Sequence, residues 1–195
     1  LSIIEEISRT CFMPLTFGGG IRTIEDMRAR FAHGADKVTI NSQAIAEPEL
    51  ITEGAGIFGS QAIIVSIAAQ RRDPGSWEAM AGYGKRASGL DVVEWARRAE
   101  ELGAGEIFLN SVDEDGIGEG YDTDLIRAVC DATTIPVIAC GGVGRFEHLV
   151  AGVEAGASAV SAANSVHFTE HSTQRAKKGL SDAGVNVRMS GVSVS

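Results

Sequence analysis

The chain has 195 residues, a formal net charge of −9, and 44% hydrophobic residues with 24 glycines and only 4 prolines. That composition suits one globular α/β domain with a real core and excludes a disordered chain. Neither basic clusters nor interleaved aromatics offset the acidic balance, which excludes nucleic-acid and membrane-surface binding, and no apolar run approaches the roughly 18 residues of a membrane span.

In chain order, a helix over Ser2–Arg9 is expected first, then a buried strand at Met13–Phe17, a helix at Ile24–Ala32 and a strand at Lys37–Asn41. A helix at Pro48–Ile57, a strand at Ala62–Ala68, a helix at Leu90–Leu102 and a strand at Glu106–Ser111 follow. The series closes with a helix at Thr123–Ala132, strands at Pro136–Cys140 and Ala159–Ala163, and helices at Phe146–Ala155 and about Thr169–Asp182. The strands are short, Val/Ile-rich and mostly apolar throughout, as parallel strands covered on both faces would be. Thr23-Ile24-Glu25-Asp26 and Ser88-Gly89-Leu90-Asp91 set a capping oxygen three residues before a carboxylate, and Gly34, Gly103 and Gly156 mark helix ends. Strict alternation implies a parallel sheet, and an internal repeat implies a closed (β/α)₈ barrel of two related halves, for which about 250 residues are usual. Six strands are found here, so two strands and one helix are expected to be absent from the front. Residues 1–189 then form one incomplete barrel domain and 190–195 a loose tail. Cys11, Cys130 and Cys140 are odd in number and lack CxxC spacing, as free cytoplasmic thiols would, and no signal peptide opens the chain.

One pattern occurs twice. Pro14–Arg22, with Gly18-Gly19-Gly20, precedes Gly34–Ser42; Pro136–Arg145, with Gly141-Gly142, precedes Gly156–Asn164. Each copy reads as a strand, a glycine turn, a helix, a Gly-Ala bend and a second strand ending in small polar residues. A turn without side chains lets backbone N–H groups approach an anion, and the helix behind it favours negative charge. Two such cradles suit one ligand with a phosphate at each end. Tight strand-to-helix turns need glycine for packing as well, so a single Gly-Gly leaves both readings open.

Other clusters carry less. Asp113, Asp115 and Glu119 lack the spacing and terminal bidentate Glu of a calcium loop, and His167 and His171 have no third ligand. His33 and His148 read as structural. No metal or cofactor is expected.

Taken together in order, Pro14–Ser42, Asn110–Tyr121 and Ile135–Phe168 make the chain resemble HisF, the cyclase-subunit family of imidazole glycerol phosphate synthase, from Leu1 to about Asp182. The resemblance implies a ribulose-phosphate-binding barrel that takes ammonia from a HisH-like glutaminase and acts on a bisphosphorylated ribulosyl aminoimidazole carboxamide. It implies a first phosphate on Gly20, Asn41 and Ser42, and a second on Gly116, Gly142, Val143, Ala163 and Asn164. Asp115 and Asn110 would line the same mouth, at C-terminal strand ends. Lys37 and Glu106 match the charged ring at the ammonia entrance, and Asp36 the neighbouring glutaminase-facing position. The loop Trp77–Lys85 resembles the hairpin that closes over the substrate, with Tyr83 and Gly84 near the second phosphate; an ordinary surface hairpin fits as well.

One departure is chemical. The family uses two aspartates as acid and base, and the second falls at Ala68, which cannot transfer a proton. Asn110, Asn164 and Gly184–Arg188 also resemble a paralogous branch whose barrels pass ammonia to the amidation of a surface-polysaccharide sugar. Cyclase subunit, ammonia conduit and non-catalytic phosphate-binding or docking module therefore all stay open, as does a barrel for another bisphosphate. The HisA isomerase shares both cradles; Asp115–Asp122 favours HisF over it.

Overall fold

The computed structural model describes residues 2–10, 13–163 and 172–189. The elements in order are α1 (Ser2–Thr10), β1 (Thr16–Gly18), α2 (Ile24–Ala32), β2 (Lys37–Ile40), α3 (Ser42–Ala46), α4 (Glu49–Phe58) and β3 (Ile63–Asp73). Then come β4 (Ser76–Ala81), β5 (Arg86–Asp91), α5 (Val92–Glu101), β6 (Glu106–Ser111), α6 (Thr123–Ala132), β7 (Val137–Cys140), α7 (Phe146–Glu154), β8 (Ala159–Val160) and α8 (Ser172–Asp182). Six strands lie in the order β1-β2-β3-β6-β7-β8, all parallel, as an incomplete (β/α)₈ barrel. Among the described residues β1 pairs only with β2, and β8 only with β7.

Strand residues alternate in burial, and the alternation positions the site. Val38, Val65, Ile67, Ile107 and Leu109 point outward and are buried with the helix residues Met27, Ile51, Trp95 and Leu125. Each fully buried aliphatic side chain contributes about 1.5–3 kcal/mol, so this outer layer holds the sheet. The opposite, concave face carries Thr39, Ser66, Phe108 and Asn110, which are half-buried and line a cavity. The expectation of strands covered on both faces is therefore corrected. The helix side is sealed along its length, whereas on the concave side Ile64 and Ala68 are buried and Thr39, Ser66, Phe108 and Asn110 are only half-buried.

The first expected helix cap forms as a full box. Thr23 Oγ1 accepts from Asp26 N at 3.2 Å, and Asp26 Oδ2 accepts from Thr23 N at 3.1 Å and Arg22 N at 3.0 Å. The second does not. Asp91 itself caps α5, accepting from Val93 N and Glu94 N at 2.9 and 3.0 Å, while Ser88 donates to Ala79 O inside a hairpin. Ser88–Asp91 is strand, so its hydroxyl turns to the neighbouring strand instead of the helix.

That hairpin, β4–β5, is the one large feature outside the strand–helix alternation among the described residues. β3 has β6 along one edge from Ile64 to Ala69. Its other edge belongs to β2 from Ile63 to Val65 and to β4 from Ala68 onward. The hairpin therefore stands directly above the C-terminal end of β2. Its base is fastened by Asp122, which is buried and accepts from Arg71 Nη2 at 2.6 Å, Trp77 Nε1 at 2.8 Å and Leu125 N at 3.1 Å. The Arg71 guanidinium also lies over the Trp77 ring, 5.1 Å from its centre.

Candidate functional site

A cavity of about 740 Å³ opens at the C-terminal ends of β1, β2, β3 and β6. Gly20, Asn41 and Ser42 line one side of it, and Ala68, Asn110 and Asp115 the other. The structure thus brings the expected first-phosphate residues and the expected mouth residues into one space.

The first mouth is open. Gly19 and Gly20 have φ of +91° and +69°, and nothing lies within 4 Å of where a Cβ would stand on either. Their backbone conformation favours glycine, but packing does not demand it. Asn41 Oδ1 is buried with no hydrogen-bond partner among the described residues, a state costing about 1–3 kcal/mol unless a ligand or water meets it. Ser42 Oγ accepts from Gly82 N at 2.9 Å, so one serine touches both the mouth and the hairpin. Its hydroxyl hydrogen remains free to donate.

The second mouth is built differently. Gly116 has φ +84° and open space around it, like Gly20. A Cβ on Gly142 would meet Gly120 O at 1.9 Å, and one on Gly144 would meet Gly118 O at 2.1 Å. Gly120 N also donates to Gly142 O at 2.8 Å. Here packing of the 114–120 loop against the turn requires glycine, the alternative left open by the sequence. Val143 packs against the core, Ala163 is exposed at the end of its described segment, and Asn164 lies outside the described residues, as do His167 and His171.

Tyr83 and Gly84 line the cavity with Gly20, Asn41 and Ser42. β4 takes the edge of β3 that β2 vacates, so Gly82 of the tip reaches Ser42 at the first mouth, while a Cβ on Gly84 would meet Val112 at 3.2 Å, beside the 113–116 loop where the second phosphate is expected. Tyr83 sits at the tip at φ +61° and 95% exposed, between two glycines of positive φ.

Ala68 faces the cavity beside its β6 partner Asn110. Asn110 Nδ2 approaches Asp115 Oδ2 at 3.4 Å, and its Oδ1 is buried without a partner among the described residues. Among the described residues Asp115 is the single carboxylate lining the cavity. Asp113 Oδ2 accepts from Arg71 N at 2.7 Å. No cluster of three His, Cys, Asp or Glu suited to a metal occurs among the described residues. His33 bonds Ala29 O at 2.6 Å and His148 is buried beneath Gly120, both structural as read.

On the opposite face, Lys37 and Glu106 form an ion pair across the start of β3, both side chains mostly buried. Asp36 Oδ2 accepts from Leu15 N and Asp36 N donates to Leu15 O, each at 2.8 Å, which ties β1 to β2. That clasp gives Asp36 a structural duty the sequence did not reveal.

Two further titratable groups lie outside the cavity, Tyr121 buried among the core residues between α7 and β8 and Cys140 half-buried. Burial pushes the Cys140 thiol above its ordinary range, and burial likewise raises Tyr121, whose hydroxyl donates to Ser161 O at 2.8 Å. Cys130 is also a free thiol; Cys11 lies outside the described residues. Sequence reasoning passed over Arg22, Arg86, Thr39 and Ser66, all of which line the cavity. The two-residue spacing from Ser66 to Ala68 and from Thr39 to Asn41 was the available signal.

Fold and cavity together define a (β/α) barrel whose polar mouth opens at the C-terminal strand ends, the face on which such barrels carry their sites. The chain belongs to the histidine biosynthesis protein family, whose model it matches over residues 1–172. This is the family of the HisA and HisF barrels. No helix among the described residues is long and apolar enough to cross a membrane.

Proposed function

We propose that this chain is a HisF-type barrel of a glutamine amidotransferase pair. It takes ammonia from a HisH-like glutaminase at the N-terminal face and binds the bisphosphorylated ribulosyl substrate at the C-terminal mouths. The observation that carries this reading is the Lys37–Glu106 pair at one end of the barrel interior, with the open cavity at the other. A small neutral molecule such as ammonia passes once the pair swings aside, then meets Ser66 and Asn110 on its way to the mouth. Ring closure needs one group to remove a proton and another to deliver one. Asp115 supplies a carboxylate, and Ala68 supplies none. Loss of a general acid or base lowers rate about 10²–10⁴-fold, so ligand binding and ammonia passage outlast fast cyclisation.

Ala68 facing the cavity also favours a second reading, an ammonia conduit for amidation of a surface-polysaccharide sugar. One experiment separates them. The full protein is mixed with its glutaminase partner, and glutamine hydrolysis is followed with and without the ribulosyl bisphosphate. Stimulation by the bisphosphate, with slow turnover, supports the first reading. Hydrolysis indifferent to the bisphosphate but stimulated by a nucleotide-linked sugar and its amidating enzyme supports the second.

A further inference from the structure

Arg22 and Arg86 come from separate elements, the turn after β1 and the start of β5, yet both line the cavity that Gly20 and Ser42 also line. Elsewhere, Arg30, Arg71, Arg72, Arg97, Arg98 and Arg127 each pair with a carboxylate, Arg28 and Arg175 lie over phenylalanine rings, and Arg145 meets His148. In a chain of net charge −9 carboxylates are plentiful, but the side chains of Arg22 and Arg86 have no ion-pair or hydrogen-bond partner among the described residues. Their placement is not accidental in its supports. Asp26 Oδ2 accepts from Arg22 N, fixing the backbone from which Arg22 projects, and those bonds hold the Asp26 carboxyl below its ordinary range. On the other side, β5 is held to β4 through Met80 and Ala81, and Gly82 is bonded to Ser42.

We propose that Arg22 and Arg86 are a two-armed clamp for the terminal phosphate of a phosphate monoester at the first mouth. This rests on the anion-mouth reading above and adds the groups that set its charge selectivity. A guanidinium offers a planar fork of N–H donors matched to phosphate oxygens, and two such forks favour a dianion over a neutral sugar or a carboxylate. One arm sits on the barrel and the other on the hairpin, so the bound phosphate ties the two together. The protein as a whole repels anions; the clamp is the local answer to that field.

Isothermal titration with glycerol phosphate, and separately with inorganic phosphate, tests the clamp on the wild-type chain and on Arg22→Ala, Arg86→Ala, Arg22→Lys and Asn41→Ala. Each arginine-to-alanine change is expected to weaken binding of the monoester about tenfold, as loss of one charge-assisted contact does, with Arg22→Lys intermediate. Phosphate ester should also slow amide exchange in residues 76–91 of the wild type but not of Arg86→Ala. If Asn41→Ala weakens binding and both arginine variants bind normally, the clamp is overturned while the mouth stands. If none of the variants changes binding, the mouth reading falls with it.

Discussion

Gly82 and Ser42 meet through a single hydrogen bond of 2.9 Å, the amide of the hairpin tip donating to the serine hydroxyl oxygen at the end of β2. It joins a strand pair that stands outside the strand–helix repeat to the mouth the repeat creates. Ser42→Ala removes the acceptor and should cost about 1 kcal/mol, concentrated in the hairpin. Hydrogen exchange should accelerate in residues 76–91 and stay unchanged in α6. Equal protection of the hairpin in both proteins would show the contact to be incidental.

The two glycine turns should respond unequally to the same methyl group. Gly20→Ala meets only the backbone cost of φ +69°, about 1–2 kcal/mol. Gly142→Ala adds a clash with Gly120 O to a φ of +103°, and backbone cannot rotate aside as a side chain does. A loss of about 3 kcal/mol or more is expected. Urea denaturation of both variants decides it; similar midpoints would contradict the packing described for the second turn.

Asp122 serves three donors at once, from Arg71, Trp77 and the first turn of α6. Asp122→Ala leaves a buried indole N–H and a guanidinium without their acceptor, and about 3 kcal/mol should be lost. Asp122→Asn keeps one acceptor oxygen but forfeits the charge, so its thermal midpoint should fall between alanine and wild type. An alanine variant as stable as wild type would remove Asp122 as the hairpin anchor.

For Lys37 and Glu106, partial burial makes the pair count for more than a surface bridge and less than a sealed one. Lys37→Met or Glu106→Leu alone should cost about 1–2 kcal/mol. The double change should cost less than their sum by at least about 0.5 kcal/mol. Strict additivity in a double-mutant cycle would mean the two side chains do not feel each other.

Stability should decline in alkali. Burial raises both Cys140 and Tyr121, so the folded chain holds their protons more tightly than the unfolded chain does. The resulting stabilisation is fully present below the unfolded values, about 8.5 for a thiol and 10 for a phenol, and is lost as pH rises through the higher folded values. Melting curves from pH 7 to 10.5 should show this fall, with the earlier part reduced in Cys140→Ser and flattened when Cys130, also raised by burial, is replaced as well. A flat profile in the wild type would contradict the burial-driven shifts.

Much of the barrel was legible because its signals are local. α2, β6 and α6 occupy the spans their periodicity and end residues indicate, Ile24–Ala32, Glu106–Ser111 and Thr123–Ala132. β1 and β8 are shorter than expected, Thr16–Gly18 and Ala159–Val160, since each has one neighbour to define it among the described residues. β3 runs on to Asp73, past its apolar stretch, because Gln70 and Arg71 are strand only by virtue of β4. No local pattern announces such a partner. The same reason hid Arg86: only the edge shared by β2 and β4 places the hairpin arginine at the mouth, whereas Arg22 closes the duplicated Pro14–Arg22 pattern and was passed over as part of it. Ala68, by contrast, was readable from its neighbours and sits where the alternation of β3 puts it, on the concave side.

An edge used by two successive strands also limits the protein's shape. Lengthening β2 past Ile40 and seating the hairpin compete for the same stretch of β3, beginning at Ala68. Each residue of handover is worth about 3.3 Å along the strand, so the depth of the well is set by where one neighbour gives way to the next. Variation in ligand length must therefore be accommodated at the tip of the hairpin or across the barrel, and not by deepening the floor beneath Ser42.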